Sequence, residues 1–362
     1  MHLIPKLLGS AVLSLAALGG NAGAAMAPWS SLVVFGDSLS DGGNNSLLPA
    51  VGVDAGQIIS GNTYIPSLTY APAPGALSTY SNGPVWATQF AASMGLNPLP
   101  SLGGGTNFAF GGATTSGGAI PSLLAQVAAP VSSGLPGYLT LTGGIADPNA
   151  LYVVAGGGNN ARATFAALAS NSNFGSIGSI AGAAASQYAN DIGTIVDMLQ
   201  LAGAKNIIVW NTPNLGTAPA IVTGVPVTAS SLSGAQLGSL VAGTMNGALQ
   251  TRLAGEIGVK TFDLYGLAAK AAQNGFTNTT DACGAPSNGP ATLSNPLNKG
   301  VCTDISTSLF WDGIHPTAAG HTFIASQMAI LAAVPEPSEM AMMLVGLVLV
   351  AGIARRRKLA SR

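Results

Sequence analysis

Charge is what this chain has least of: Asp, Glu, Lys and Arg together make up 7% of its 362 residues. Six of the twelve basic residues, Lys6, Arg355, Arg356, Arg357, Lys358 and Arg362, lie in the two terminal segments. From Ala25 to Val334, six basic residues stand against eleven acidic ones, a balance of −5. A nucleic-acid partner requires a basic face to neutralise phosphates, and the sequence offers none. Cysteine and histidine are also scarce, with two and three copies. Two cysteines and two histidines in the body, without ligand spacing, do not make a zinc site. With so few charges, surface polarity must come from hydroxyls and amides, which suits an exported protein.

The two ends are organised. Lys6 is followed by an apolar run from Leu7 to about Leu18 and by Ala22-Gly23-Ala24. A cation, a short apolar region and small residues in that order predict a signal peptide over residues 1–24, removed by signal peptidase. In an exported chain the lone pair Cys283 and Cys302 is expected to form a disulfide. At the other end, Val334-Pro335-Glu336-Pro337 precedes an uncharged apolar stretch from Met340 to Ala354 and the basic run Arg355–Lys358. This order resembles the PEP-CTERM sorting signal of Gram-negative bacteria. The resemblance implies that residues 334–362 are recognised by an exosortase, with the 340–354 helix as a transient or retained membrane anchor. It also implies export through the inner membrane to the cell surface, the extracellular matrix or the medium. Fifteen apolar residues with long basic flanks can just span a bilayer, the Arg cluster staying inside.

Between the ends, residues 25–333 form a body of about 310 residues, a size one α/β domain often reaches. Short apolar runs at Ser31–Phe35, Leu151–Val154, Asn206–Trp210 and Val259–Leu264 have the character of buried parallel strands. Helical periodicity fills the gaps at Ala181–Ala202 and Ser231–Gly255. Alternating strands and helices predict a parallel sheet covered on both faces, with ligands at the carboxyl ends of the strands. The Gly/Pro-rich stretches 49–83 and 130–148 are expected to be long loops near the substrate.

The chemistry begins where the first strand meets Gly36-Asp37-Ser38-Leu39-Ser40. A serine at a strand end is exposed to a cleft, and the backbone N–H groups after it can face an anion. It needs a base, and only His315 and His321 remain after the leader. Asp312 precedes His315 by three residues, so one local turn can bring the carboxylate to the imidazole. His321 is expected to face solvent or to cap a helix.

With these features the chain resembles the SGNH (GDSL) hydrolases, whose four blocks occur in family order. They are Gly36–Asn44, Asn107–Ala113, Gly157-Gly158-Asn159-Asn160, and Asp312-x-x-His315 followed by Pro316. The resemblance implies a flavodoxin-like three-layer α/β/α sandwich with a mostly parallel sheet, and an esterase or lipase acting on carboxylic esters without metal or cofactor. It assigns Ser38 as nucleophile with Asp312 and His315 as its catalytic partners. Its oxyanion hole would comprise the Ser38 N–H, the Gly112 N–H and Asn159, with Gly111 as the other candidate for the glycine donor. Asn160 and Asn214 stand where the family commonly has Asp. Deacetylation or acyl transfer on an exopolysaccharide, or a silent surface protein that only binds, are the alternatives.

Overall fold

The computed structural model describes residues 29–48, 77, 79–97, 99–118, 120–171, 174–224, 232–283 and 304–333. The expected signal peptide, the 334–362 tail with its 340–354 stretch, most of the 49–83 stretch and Cys302 lie outside them. No helix among the described residues is long and apolar enough to cross a membrane.

Four strands, β1 (Leu32–Gly36), β2 (Leu151–Ala155), β3 (Asn206–Trp210) and β4 (Val259–Phe262), form one sheet in the order β1-β2-β3-β4, every pair parallel. Leu32 pairs with Leu151, Leu151 with Asn206, and Ile207 with Val259. The main helices are α1 (Trp86–Ser93), α2 (Leu123–Ala128), α3 (Gly158–Ala169), α4 (Ile177–Leu201), α5 (Gly234–Arg252), α6 (Leu267–Gln273) and α7 (Ala318–Ala332).

β1 and β2, and β3 beyond Asn206, are buried on both faces, whereas the edge strand β4 exposes Lys260 and Thr261. Val33, Phe35, Tyr152, Val154, Ile207 and Val209 point into a core shared with α2, α3, α4 and α5. Their neighbours Leu32, Val34, Leu151, Val153, Ile208 and Trp210 point the other way, toward α1, α6 and α7. This is the two-residue alternation of a strand, with apolar side chains sent to both faces of the sheet. Each fully buried side chain of this size contributes roughly 2–3 kcal/mol of transfer free energy. Helix α4 buries Ala181, Ala185, Tyr188, Ile192, Ile195 and Leu199 along one stripe. Ser233 starts α5 with a capping box closed by Gln236.

A fifth sheet member was not foreseen. The Val34 N–H donates to the Thr106 carbonyl at 3.0 Å, the Phe108 N–H to Val34 at 2.7 Å and the Phe110 N–H to Gly36 at 3.2 Å. Residues 106–110 therefore run parallel along the free edge of β1, bridged to it at Asn107. The resulting order, with this segment outside β1, gives the doubly wound arrangement expected from the sequence. The 130–148 stretch is more structured than a loop: it holds a short helix, Tyr138–Leu141, whose Tyr138 is buried against Phe35 and Tyr152.

A small second sheet pairs β5 (Asn278–Ala282) with β6 (Ser308–Phe310). Cys283 follows β5; it is buried and disulfide-bonded, and its N–H donates to the Phe310 carbonyl at 3.0 Å. Its expected partner, Cys302, lies outside the described residues.

Candidate active site

The site starts with a glycine that must be a glycine. A Cβ on Gly36 would lie 2.7 Å from the Ala155 carbonyl oxygen and 3.0 Å from the Ser40 Oγ, so only hydrogen lets β1 end this close to β2. The chain then makes one tight turn, with the Ser40 and Asp41 N–H groups both donating to the Asp37 carbonyl at 3.0 Å. Ser38 sits on this turn, 6% exposed, at the floor of a cleft beyond the carboxyl ends of the strands.

Asp41 ties the turn to the rest of the site. Its carboxylate accepts N–H bonds from Gly43, Asn44, Asn45 and Gly111 at 2.8, 2.7, 3.3 and 2.9 Å. Burial pushes its carboxyl up to about 6, against the pull of those donors. The Asn44 side chain donates to the carbonyls of Asn107 and Ala109, and Asn107 donates to that of Ser40. The first two sequence blocks are thus laced into one buried polar unit.

Opposite the serine, residues 311–317 close a short loop between β6 and α7. The His315 Nε2 lies 2.8 Å from the Ser38 Oγ, and its Nδ1 lies 2.7 Å from the Asp312 Oδ2. The other oxygen of Asp312 accepts the N–H groups of Ile314 and His315 at 2.9 and 2.7 Å. Both side chains are 1% exposed. A carboxylate can only accept, so the neutral imidazole carries its proton on Nδ1 and turns the Nε2 lone pair toward the serine hydroxyl. The Tyr80 ring lies over the imidazole with centroids 5.4 Å apart.

Asn159 lines the same cleft from the first turn of α3, where Gly157 turns the chain at φ +116° beneath Tyr188. The Asn159 Nδ2 donates to the Ala113 carbonyl at 2.9 Å, and its Oδ1 accepts from the Arg162 Nη1 at 3.3 Å. Of the two glycines of the second block, Gly111 has its N–H committed to Asp41. Gly112 sits at φ +84°, and its N–H makes no hydrogen bond among the described residues. Gly112 is not among the residues that line the cleft.

Three features escaped the sequence reading. Asp37 shares the cleft with Ser38, and burial pushes its carboxyl up to about 6, opposed by the Leu39 N–H and by His315 and Arg162. Arg162, one turn beyond Asn159, brings a cation into the cleft. The third corrects an expectation: His321 neither faces solvent nor caps a helix. It is 0% exposed on α7, and among the described residues neither ring nitrogen has a hydrogen-bond partner. Thr317 caps that helix, accepting from the Gly320 N–H. Desolvation, with a smaller contribution from the charge of His315, pulls the His321 imidazole down to about 3, so it stays neutral.

The departures at Asn160 and Asn214 also acquire meaning. Asn160 accepts the Thr115 N–H at 3.1 Å and donates to the Thr115 hydroxyl at 3.0 Å. That hydroxyl and the Ser116 hydroxyl each donate to Asp191 at 2.6 Å. The carboxylate missing from position 160 is supplied one step away, from α4. The Asn214 Oδ1 accepts from the Gly216 N–H and the Ser239 hydroxyl, both at 2.9 Å, the acceptor work an aspartate would do.

Several known proteins are similar to this chain over much of its length. An uncharacterised protein of the trpE–trpG intergenic region of Pseudomonas putida is 33% identical over 337 residues, covering 88% of this chain and 51% of that protein. The esterase EstA of Pseudomonas aeruginosa is 30% identical over 343 residues, covering 89% and 49%. Lipase 1 of Photorhabdus luminescens is 31% identical over 194 residues, covering 54% and 24%. The chain spans about half the length of the two Pseudomonas proteins. The model of the GDSL-like lipase/acylhydrolase family matches residues 32–328, nearly the whole of the described body, and the chain belongs to that family.

Proposed function

We propose that this protein hydrolyses carboxylic esters through an acyl-enzyme on Ser38. The observation that carries the reading is the buried relay Ser38 Oγ–His315 Nε2–Nδ1–Asp312, with links of 2.8 and 2.7 Å, at the floor of a cleft. Family membership and the names of the EstA and lipase 1 relatives support it. In the first half-reaction His315 takes the Ser38 proton as the hydroxyl attacks the ester carbonyl, and Asp312 stabilises the imidazolium that forms. The oxyanion is received by the Ser38 and Gly112 N–H groups and by the Asn159 amide. The commitment of the Gly111 N–H to Asp41 favours Gly112 over Gly111 in that role. His315 then protonates the departing alcohol, and water repeats the sequence to release the acid.

The remaining cleft walls are mostly apolar, with Leu39, Leu215, Ala218, Leu264, Leu267 and Ile314 among them, which suits a hydrocarbon group on the ester. The protein acts outside the cytoplasm: signal peptidase removes residues 1–24, and an exosortase handles the 334–362 signal. The test is hydrolysis of p-nitrophenyl acetate, butyrate and palmitate by the purified protein beside Ser38→Ala. The wild type is expected to cleave at least one ester and the variant none. Equal activity of the two, or none from either, overturns the reading.

A further inference from the structure

Arg162 has no place in the four sequence blocks, yet among the described residues it is the one cation lining the cleft that holds Ser38 and His315. No carboxylate lies within ion-pair distance of it there, and its Nε is buried without a hydrogen-bond partner. Its printed hydrogen bond runs from Nη1 to the Asn159 Oδ1 at 3.3 Å. The two residues stand three apart on α3, so their side chains share one face of the helix.

We infer that Arg162 is a positioning residue for the oxyanion, acting through Asn159. A side-chain amide can present either its oxygen or its nitrogen to a cleft, and only its partners decide which. A guanidinium can only donate, so it must meet the amide at Oδ1. The Ala113 carbonyl can only accept, so it must meet Nδ2. Together they lock one orientation, in which Nδ2 spends one hydrogen on Ala113 and keeps the second free for a substrate oxygen. The positive charge behind Oδ1 further polarises the amide toward a developing anion. An alternative use of Arg162, to hold an anionic group on the substrate, is disfavoured by the Asp37 carboxyl in the same cleft.

The inference rests on the esterase reading, and the two fail separately: an active Ser38→Ala protein sinks the esterase reading, whereas the result below concerns Arg162 alone. Arg162→Met, Asn159→Ala and the double variant of the full chain are compared for kcat, KM and Tm on p-nitrophenyl butyrate. Arg162→Met is expected to lower kcat about tenfold, as for residues in one hydrogen-bonded network. KM should stay within about twofold, the pattern of an interaction made in the transition state. In the Asn159→Ala background the same change should cost nothing further, and Arg162→Lys should recover part of the loss. An equal loss in both backgrounds overturns the inference, since Arg162 would then act without Asn159. So does a selectively larger loss on an ester whose acyl chain ends in a free carboxylate, or a lowered Tm with kcat unchanged.

Discussion

The two polar sides of the cleft are built to different tolerances. On the side where the proposed mechanism would move a proton, Asp312 and His315 are almost fully buried, come from one seven-residue loop and make contacts of 2.7 to 2.9 Å. On the side where negative charge would gather, Asn159 is half-buried and held by contacts of 2.9 and 3.3 Å to Ala113 and Arg162. Proton transfer requires one donor and one acceptor at hydrogen-bond distance, so geometry there is enforced locally. Charge stabilisation is shared among several donors, so each can be held less tightly. The proton side should therefore fail sharply when altered, and the anion side by degrees.

Asp312→Asn puts that contrast under the greatest strain. The amide can hold the imidazole only in the wrong tautomer, and kcat is expected to fall by about 10³–10⁴. A loss below about tenfold, measured at constant Tm, would show the proton side to be as tolerant as the other. Asn159→Ala removes one of the three proposed oxyanion donors and is expected to cost about 10²-fold in kcat with KM little moved, read on the same ester. A loss matching that of Asp312→Asn would erase the distinction.

The smallest effect concerns stability and a weakness under the tight side. His321 is neutral in the folded protein down to about pH 3, whereas in the unfolded chain it takes a proton near 6.5. Its folded pKa is the lower, so the stability it leaves intact above pH 6.5 is lost as pH falls toward 3. Relative to His321→Leu, the wild type should lose up to about 1.4 kcal/mol per pH unit in that window. Denaturant melts of both proteins at pH 7, 6 and 5 would show parallel stabilities if the imidazole were charged or solvated in the fold.

Much of this was legible in the sequence for a physical reason. Strands buried on both faces must be apolar at every position, and β1, β2 and β3 lie within a residue of where their apolar runs put them. Ser38, Asp312 and His315 could be singled out because few residue types do their chemistry and histidine is rare in the chain. The 106–110 segment was hidden because it lies at a sheet edge and bridges β1 only irregularly. Asp191 was hidden because its partner Thr115 lies 76 positions away, a closeness that only packing creates. His321 was misjudged because it directly precedes the exposed stripe Thr322, Ser326 and Ile330 of α7, and its polar side chain reads as part of that stripe. Arg162 carried a signal that went unused: a charged residue one turn beyond a motif asparagine, in a body with only six basic residues.

The 311–317 loop is a single mechanical part. It is fastened by the Trp311 N–H to the His315 carbonyl at 2.7 Å, by the Ala220 N–H to the Gly313 carbonyl at 3.0 Å, and by the hydroxyls of Thr317 and Ser81 to the Ser308 and Pro316 carbonyls. Asp312 and His315 travel together on it, while Ser38, the proposed nucleophile, belongs to a different part, 277 positions earlier in the chain. The joint between the two parts is one hydrogen bond. A displacement of a single ångström across that joint would disarm the serine and leave the histidine and aspartate still clasped, an idle engine with its gears intact.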